Sequence, residues 1–370
     1  MEAYKDYLKS LETSEEGEDS TKEPLPLGKE PLDPARESLE HIIPNAIGGK
    51  LKSKNILSHA GNQKLNDEID KEFVKIFASF TSRLSVNKDR KTTPSMSAFH
   101  ISHGVKVNFK DGKYFPTSPY YDDKSKTIYA YPLKNAENFK KRLIKDGVIS
   151  DQDEIELADD MAGQIEIPFD LGNLNFKQGM AKIAIGYASL NGIAREQLDE
   201  ALDVENNSIS QRISLIPSFP TSKSEDFFEG NIVASPHYPC HTLTLCGHEG
   251  MLYCHIELFN AFQWYVVLNF EYKGEDIFQT YTYDLLNDQE ISREDYIASV
   301  KLPPGLPPIK KFRKLPPPHL AKMAHAASTN KEMLKAYNHH KFNQLSNFTK
   351  RHFVYNKAIA LGIIAEDTQQ

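Results

Sequence analysis

Cysteine is scarce in this chain: Cys240, Cys246 and Cys254 are the only three in 370 residues. Three cysteines cannot build a disulfide framework and fit a reducing cytoplasm. Long apolar runs are also missing. None approaches the ~18 residues of a membrane span, and the opening stretch MEAYKDYLKSLETSEEGEDS lacks the apolar core of a secretory signal. There is no P-loop, no Rossmann fingerprint, no G-x-S-x-G elbow and no internal repeat. A shortage of acid in one region is more informative. The net charge is −7, yet between Lys301 and Lys357 twelve Lys/Arg face a single acid, Glu332. A basic segment on an otherwise acidic chain predicts a polyanion-binding surface, the alternative being a solvated tail.

Hydrophobic residues make up 39% and charged residues 26%, the balance of a folded globule. Residues 1–36 are acidic and carry four prolines, so they are expected to bury little and stay disordered. From Ser38 the pattern reads strand (SLEHII, ended by Pro44), a loop with Gly48-Gly49, a second short strand in KNIL, then a helix over 62–84. That helix places Leu65, Ile69, Phe73, Phe77, Phe80 and Leu84 at helical spacing. Further on, VKVNFKDGKYF predicts a hairpin turning at Asp111-Gly112, and NAENFKKRLIKDG a helix ended by Gly147. NFKQGMAKIAIGYASL predicts a second helix with Phe176, Met180, Ile183 and Tyr187 on one stripe, and REQLDEAL extends or follows it. Asn231 to Asp284 reads as strongly β, with turns at GHEG and KGED. The segment from Lys301 is a proline-rich basic linker, and the last fifty residues read as helical.

Two clusters carry chemistry. In the first, Glu40, His41, Asn55 and Asn62 supply what metal-assisted phosphodiester hydrolysis needs: a base that works near neutral pH, oxygen ligands for a hard cation, and a group to fix the base. Adjacent strand residues point to opposite faces, so Glu40 and His41 share a site only if the strand is distorted. In the second, Cys240, His241, Cys246, His248, Cys254 and His255 crowd together. With GHEG as the turn, Cys246 pairs near Met251 and Thr244 near Tyr253. Cys254 then faces away from the other two sulfurs, which predicts buried strand cysteines rather than a metal site. Trp264 and Tyr265 lie in an apolar run and read as core. Asp284, Glu275 and Asp276, with no partner histidine evident, read as turn acids.

The ordered set Glu40-His41-Ile42-Ile43-Pro44, Gly48-Gly49, Lys52-Ser53-Lys54-Asn55 and Gly61-Asn62-Gln63-Lys64 resembles the HNH endonuclease family, and the likeness runs over roughly residues 24–96. The resemblance implies a ββα-metal module. His41 would be the general base and Asn55 the residue that orients it. Glu40 and Asn62 would bind one Mg²⁺ or Mn²⁺, and Lys50, Lys52, Lys54 and Lys64 would meet phosphates. Many relatives brace the module with four zinc cysteines. The matching positions here, near Pro24 and Leu27 and at Ser58 and Gly61, hold none, so no structural zinc is expected and packing through Phe73, Phe77 and Phe80 must replace it. His59 between the lost positions is expected to be exposed.

The expected architecture is α+β: an acidic segment (1–36), the module (37–96), a larger mixed α+β domain with an antiparallel sheet (97–300), and a basic linker with a helical tail (301–370). The expected activity is metal-dependent hydrolysis of DNA in a cytoplasmic setting such as restriction or anti-phage defence. Lys310, Lys311, Arg313 and Lys314 would add tail contacts to DNA. A homodimer or partner protein would serve double-strand cleavage, and no membrane is involved. The competing readings are a non-catalytic nucleic-acid-binding protein on a retired scaffold and a nuclease gated by a ligand or partner.

Overall fold

The computed structural model describes residues 38–86, 96–110, 113–166, 171, 173–206, 208–309 and 314–364. The expected acidic segment, the Asp111-Gly112 turn and the tail cations Lys310, Lys311 and Arg313 lie outside them. The fold is mixed α+β, with antiparallel sheets and a C-terminal helical segment. No helix among the described residues is long and apolar enough to cross a membrane.

The chain enters through strand β1 (Glu40–His41), which pairs antiparallel with β2 (Lys52–Ser53), Glu40 opposite Ser53 and His41 opposite Lys52. Between them lies a 3₁₀ turn, Asn45–Ile47, closed by Gly48 at φ +98°, a left-handed conformation that glycine adopts without strain. The second strand falls before KNIL, not in it. Consecutive Ile56 and Leu57 are both buried, which an alternating strand does not allow, so the chain bends there. Ser58 then caps helix α1 (His59–Leu65), its Oγ accepting the Gly61 N–H at 3.1 Å. This cap starts the helix three residues before the expected Asn62. One π-turn, Asn66–Asp70, joins α1 to α2 (Lys71–Leu84).

The middle of the chain contributes β3 (Met96–His100), β4 (Val105–Lys110), β5 (Lys113–Pro116), β6 (Tyr120–Asp122), β7 (Thr127–Tyr129), helix α3 (Leu133–Lys145), β8 (Glu156–Ala158) and β9 (Ile165–Glu166). β5-β4-β3-β9 form one sheet and β6-β7-β8 another. The strands flanking Asp111-Gly112 pair as the hairpin reading expects, Lys110 opposite Lys113, and Gly147 follows α3 at φ +71°. Helix α4 (Leu174–Leu190) is buried on nearly every side. Gly192, at φ +81°, follows its end, so REQLDEAL supplies only a 3₁₀ turn at Arg195–Gln197.

A small β10 (Leu202–Asp203) and β11 (Ser208–Ile209) ladder, β12 (Leu215–Pro217) and helix α5 (Lys223–Asn231) lead into the main strands: β13 (Cys240–His248), β14 (Met251–Leu258), β15 (Phe262–Asn269), β16 (Ile277–Asp284) and β17 (Gln289–Glu290). Regular β structure begins at Cys240, not Asn231, because α5 runs on through a 3₁₀ turn at Ile232–Ala234. The antiparallel sheet runs β12-β15-β14-β13-β16-β17. Its tightest turn is Glu249-Gly250, both at positive φ, so His248 lies opposite Met251 and Cys246 opposite Tyr253. The offset from the expected pairing is two residues, which preserves every face. All three cysteines are buried and free. Helices α6 (Arg293–Ala298), α7 (Pro317–Thr329, opened by proline) and α8 (Lys331–Ala360) complete the chain.

The main sheet has two unlike faces. Leu243, Leu245, Cys254, Ile256 and Val266 build an apolar one. It receives α2 and α4: Phe77 meets Phe262 and Phe259 at 5.2 and 5.7 Å, and Phe176 meets Trp264 edge-on at 5.8 Å. The aromatic packing expected to replace the zinc brace is therefore present; Tyr265 is a core residue, and Trp264 is partly buried against the core. The other face carries Thr242, Thr244, His255, Glu257, Gln263 and Thr282, all buried. It lies under α5, α6, α7 and α8. Lys341 of α8 pairs with Glu229 of α5 at 2.7 Å, and Tyr296 of α6 donates to Glu257 at 3.0 Å. Lys341 is thus one tail cation spent inside the protein.

Candidate active site

Glu40 and His41 are unequally buried on their two-residue strand. Glu40 is buried and turns inward, while His41 is half-buried. The Glu40 carboxylate meets an unexpected partner: Lys182 Nζ lies 2.7 Å from its Oε1 and 2.5 Å from Asp70 Oδ2. Lys182 sits on α4 in a stripe with Gly179 and Gly186 that faces the strand–loop–helix unit. A Cβ on Gly179 would fall 2.0 Å from the Phe73 ring, and one on Gly186 would touch Ile42. Glycine at 179 lets the helices approach closely enough for the lysine to reach. Asp70 ends the π-turn, whose extra residue changes the helical phase ahead of α2.

The trio is electrostatically unbalanced, with two carboxylates against one ammonium. Burial acts to lower the Lys182 pKa, but Asp70 and Glu40 together outweigh it and hold the ammonium above its ordinary range. Burial pushes the Glu40 carboxyl up against the pull of Lys182. The other oxygen of Asp70, Oδ1, is buried without a hydrogen-bond partner.

Asn62, in the first turns of α1, donates from Nδ2 to Ser38 Oγ at 2.6 Å, which ties the helix to the chain two residues before Glu40. Asn55 is exposed, and its N–H donates to Ser53 Oγ at 3.1 Å. Lys52, Lys54, Lys64 and His59 are exposed, and Lys50 lies 3.9 Å from Asp288. Lys314 pairs with Asp276 at 3.2 Å. Ordered strand–loop–strand–helix geometry thus puts the motif residues on one compact unit. Residues 29–78 match the family model of the HNH endonucleases.

This segment is an HNH module. The match points to nuclease chemistry on nucleic acid. No curated protein and no solved structure matches the chain.

HNH nucleases generally depend on a divalent metal. Among the described residues no group of three or more His, Cys, Asp or Glu is placed to hold an ion. The donor types in this unit nonetheless suit a hard cation. Glu40, Asp70 and the Asn62 amide all offer oxygen, the trio carries surplus negative charge, and Asp70 Oδ1 is a buried oxygen in want of a partner.

Two features of the HNH setting escaped the sequence reading. Lys182 had a signal, as a charge inside an apolar helix needs a partner. His241 is the other. It is fully buried, its Nε2 donates to Ile47 O at 2.9 Å, and its Nδ1 accepts the Phe259 N–H at 3.2 Å. These bonds fix a neutral ring that holds the module's turn to the sheet, and burial pushes its pKa down to about 4. Asp284 does act as a turn acid, its Oδ1 accepting the Leu286 and Asn287 N–H groups, but both it and Asp276 have the histidine partners the sequence did not show. Asp284 is buried 2.9 Å from His237 Nδ1, and Asp276 lies 2.8 Å from His248 Nδ1.

Proposed function

We propose that the protein is a metal-dependent HNH endonuclease that hydrolyses phosphodiester bonds in DNA, in a setting such as restriction or anti-phage defence. The observation that carries this reading is the motif on its expected frame: Glu40-His41 on a strand paired with Lys52-Ser53, and Asn62 on the following helix tied back beside that strand. His41 accepts the proton of the water that attacks phosphorus, and the half-buried ring is open enough to meet it. Asn55 orients His41 and its loop. Glu40 and Asn62 hold a single Mg²⁺ or Mn²⁺, which when bound supplies charge stabilisation at the phosphate and leaving oxygen. Exposed Lys52, Lys54 and Lys64, together with Lys50, contact backbone phosphates, which position a duplex without reading its sequence. The tail cations Lys310, Lys311, Arg313 and Lys314 extend that contact, and a homodimer or partner supplies the second cut of a double-strand break.

The test is nicking of supercoiled plasmid with Mg²⁺, Mn²⁺ or EDTA, comparing wild type with His41→Ala. Cleavage that needs metal and is lost in the variant is expected. Equal cleavage by both proteins, or none by wild type with either metal, overturns the reading.

A further inference from the structure

Lys182 lies 104 residues beyond the last residue matched to the HNH family, and Asp70 lies two helical turns past Asn62. Lys182 is outside the family match, while Asp70 is inside it but is not among the four residues given a catalytic or metal-binding role. We propose that both are positioning residues of the nuclease site. Lys182 clamps the Glu40 carboxylate, and Asp70 provides the surplus charge that a divalent cation neutralises. This rests on the metal-dependent reading above.

The alternative is an ion pair that merely stabilises the fold. A structural pair needs one acid for one lysine, yet here a second carboxylate is brought in. Its Oδ1 is left buried and without a hydrogen-bond partner, an arrangement that costs stability. The device that presents Asp70 is a π-turn, a helix irregularity that gathers at functional sites. Stability alone explains neither feature. A hard cation near Glu40 explains both, because it balances the second charge and offers the idle oxygen a partner, directly or through water. Lys182 meanwhile engages Oε1 of Glu40, which fixes the orientation of the carboxylate before any ion arrives.

The experiment measures Mn²⁺ binding by calorimetry, thermal melting with and without Mn²⁺, and plasmid nicking on the full chain. The proteins are wild type, Asp70→Asn, Lys182→Met and Lys182→Arg. Asp70→Asn keeps the Lys182–Glu40 pair, so it should fold as wild type does while Mn²⁺ binds ~10–100-fold more weakly, the range for residues that support metal ligands. Lys182→Met leaves two buried carboxylates uncompensated. Its melting temperature should rise more with Mn²⁺ than that of wild type while nicking falls, and Lys182→Arg should recover part of the nicking. If Lys182→Met does not fold, Asp70→Asn decides alone. Wild type that binds Mn²⁺ and cuts, beside an Asp70→Asn protein that does both equally well, overturns this inference and leaves the nuclease reading intact. Wild type that neither binds Mn²⁺ nor cuts overturns both.

Discussion

The two faces of the main sheet are both buried, yet they hold their helices in opposite ways. The HNH side is aromatic and aliphatic, and its strength is area and close packing. The far side carries threonines, acids, amides and tyrosines, and is bound to its helices by directed contacts such as Gln263–Glu229 and Tyr296–Glu257, with Lys341 closing on Glu229 between two of those helices. An apolar face tolerates small shifts of its partner and loses stability in proportion to the atoms removed. A polar face loses most when a single partner goes, because the group left behind stays buried and unsatisfied.

The sharpest test of that contrast is Phe77→Ala on the apolar side. Phe77 is fully buried between two aromatic rings of the sheet, and the deletion should cost ~4–5 kcal/mol in denaturant unfolding. On the polar side, Lys341→Met should cost ~3–4 kcal/mol, below the first because Gln263 still donates to Glu229 at 3.0 Å. Adding Glu229→Gln to that variant should return much of the loss. Two additive losses would instead show that the polar face behaves like the apolar one. The third test concerns His241, the polar exception on the apolar face. Its folded pKa is about 4 against an ordinary 6.5, so the unfolded chain binds the proton first as pH falls. The neutral ring's contribution is complete above pH 6.5 and is lost between 6.5 and 4, about 3 kcal/mol in all. Unfolding free energies measured from pH 7 to 4 should show this slope, and His241→Gln should flatten it. An unchanged slope in the variant would assign it to other groups.

Local signals in the sequence were enough for the frame. The spaced motif fixed the strand–loop–strand–helix order. Alternation along Thr242, Thr244 and Cys246 gave the correct faces even though the turn is shorter than GHEG suggests. Ile56 and Leu57 looked like a strand because an apolar pair is locally ambiguous, and only the neighbouring core shows that both are buried. Lys182, His241 and His237 were illegible as partners for a different reason. Each acts across a long separation: Lys182 to Glu40, His241 to Ile47, His237 to Asp284. No periodicity reports which distant residue a buried charge will meet.

Those separations also order the assembly in time. Ile47 and His241 are 194 residues apart, and Lys182 follows Asp70 by 112. Contacts that close such long loops form late, after local helices and hairpins have appeared. A chain emerging from the ribosome therefore presents the HNH segment first but has neither the lysine that grips Glu40 nor the sheet that braces its turn. The HNH segment is made early and set last, so its final arrangement waits for completion of the fold.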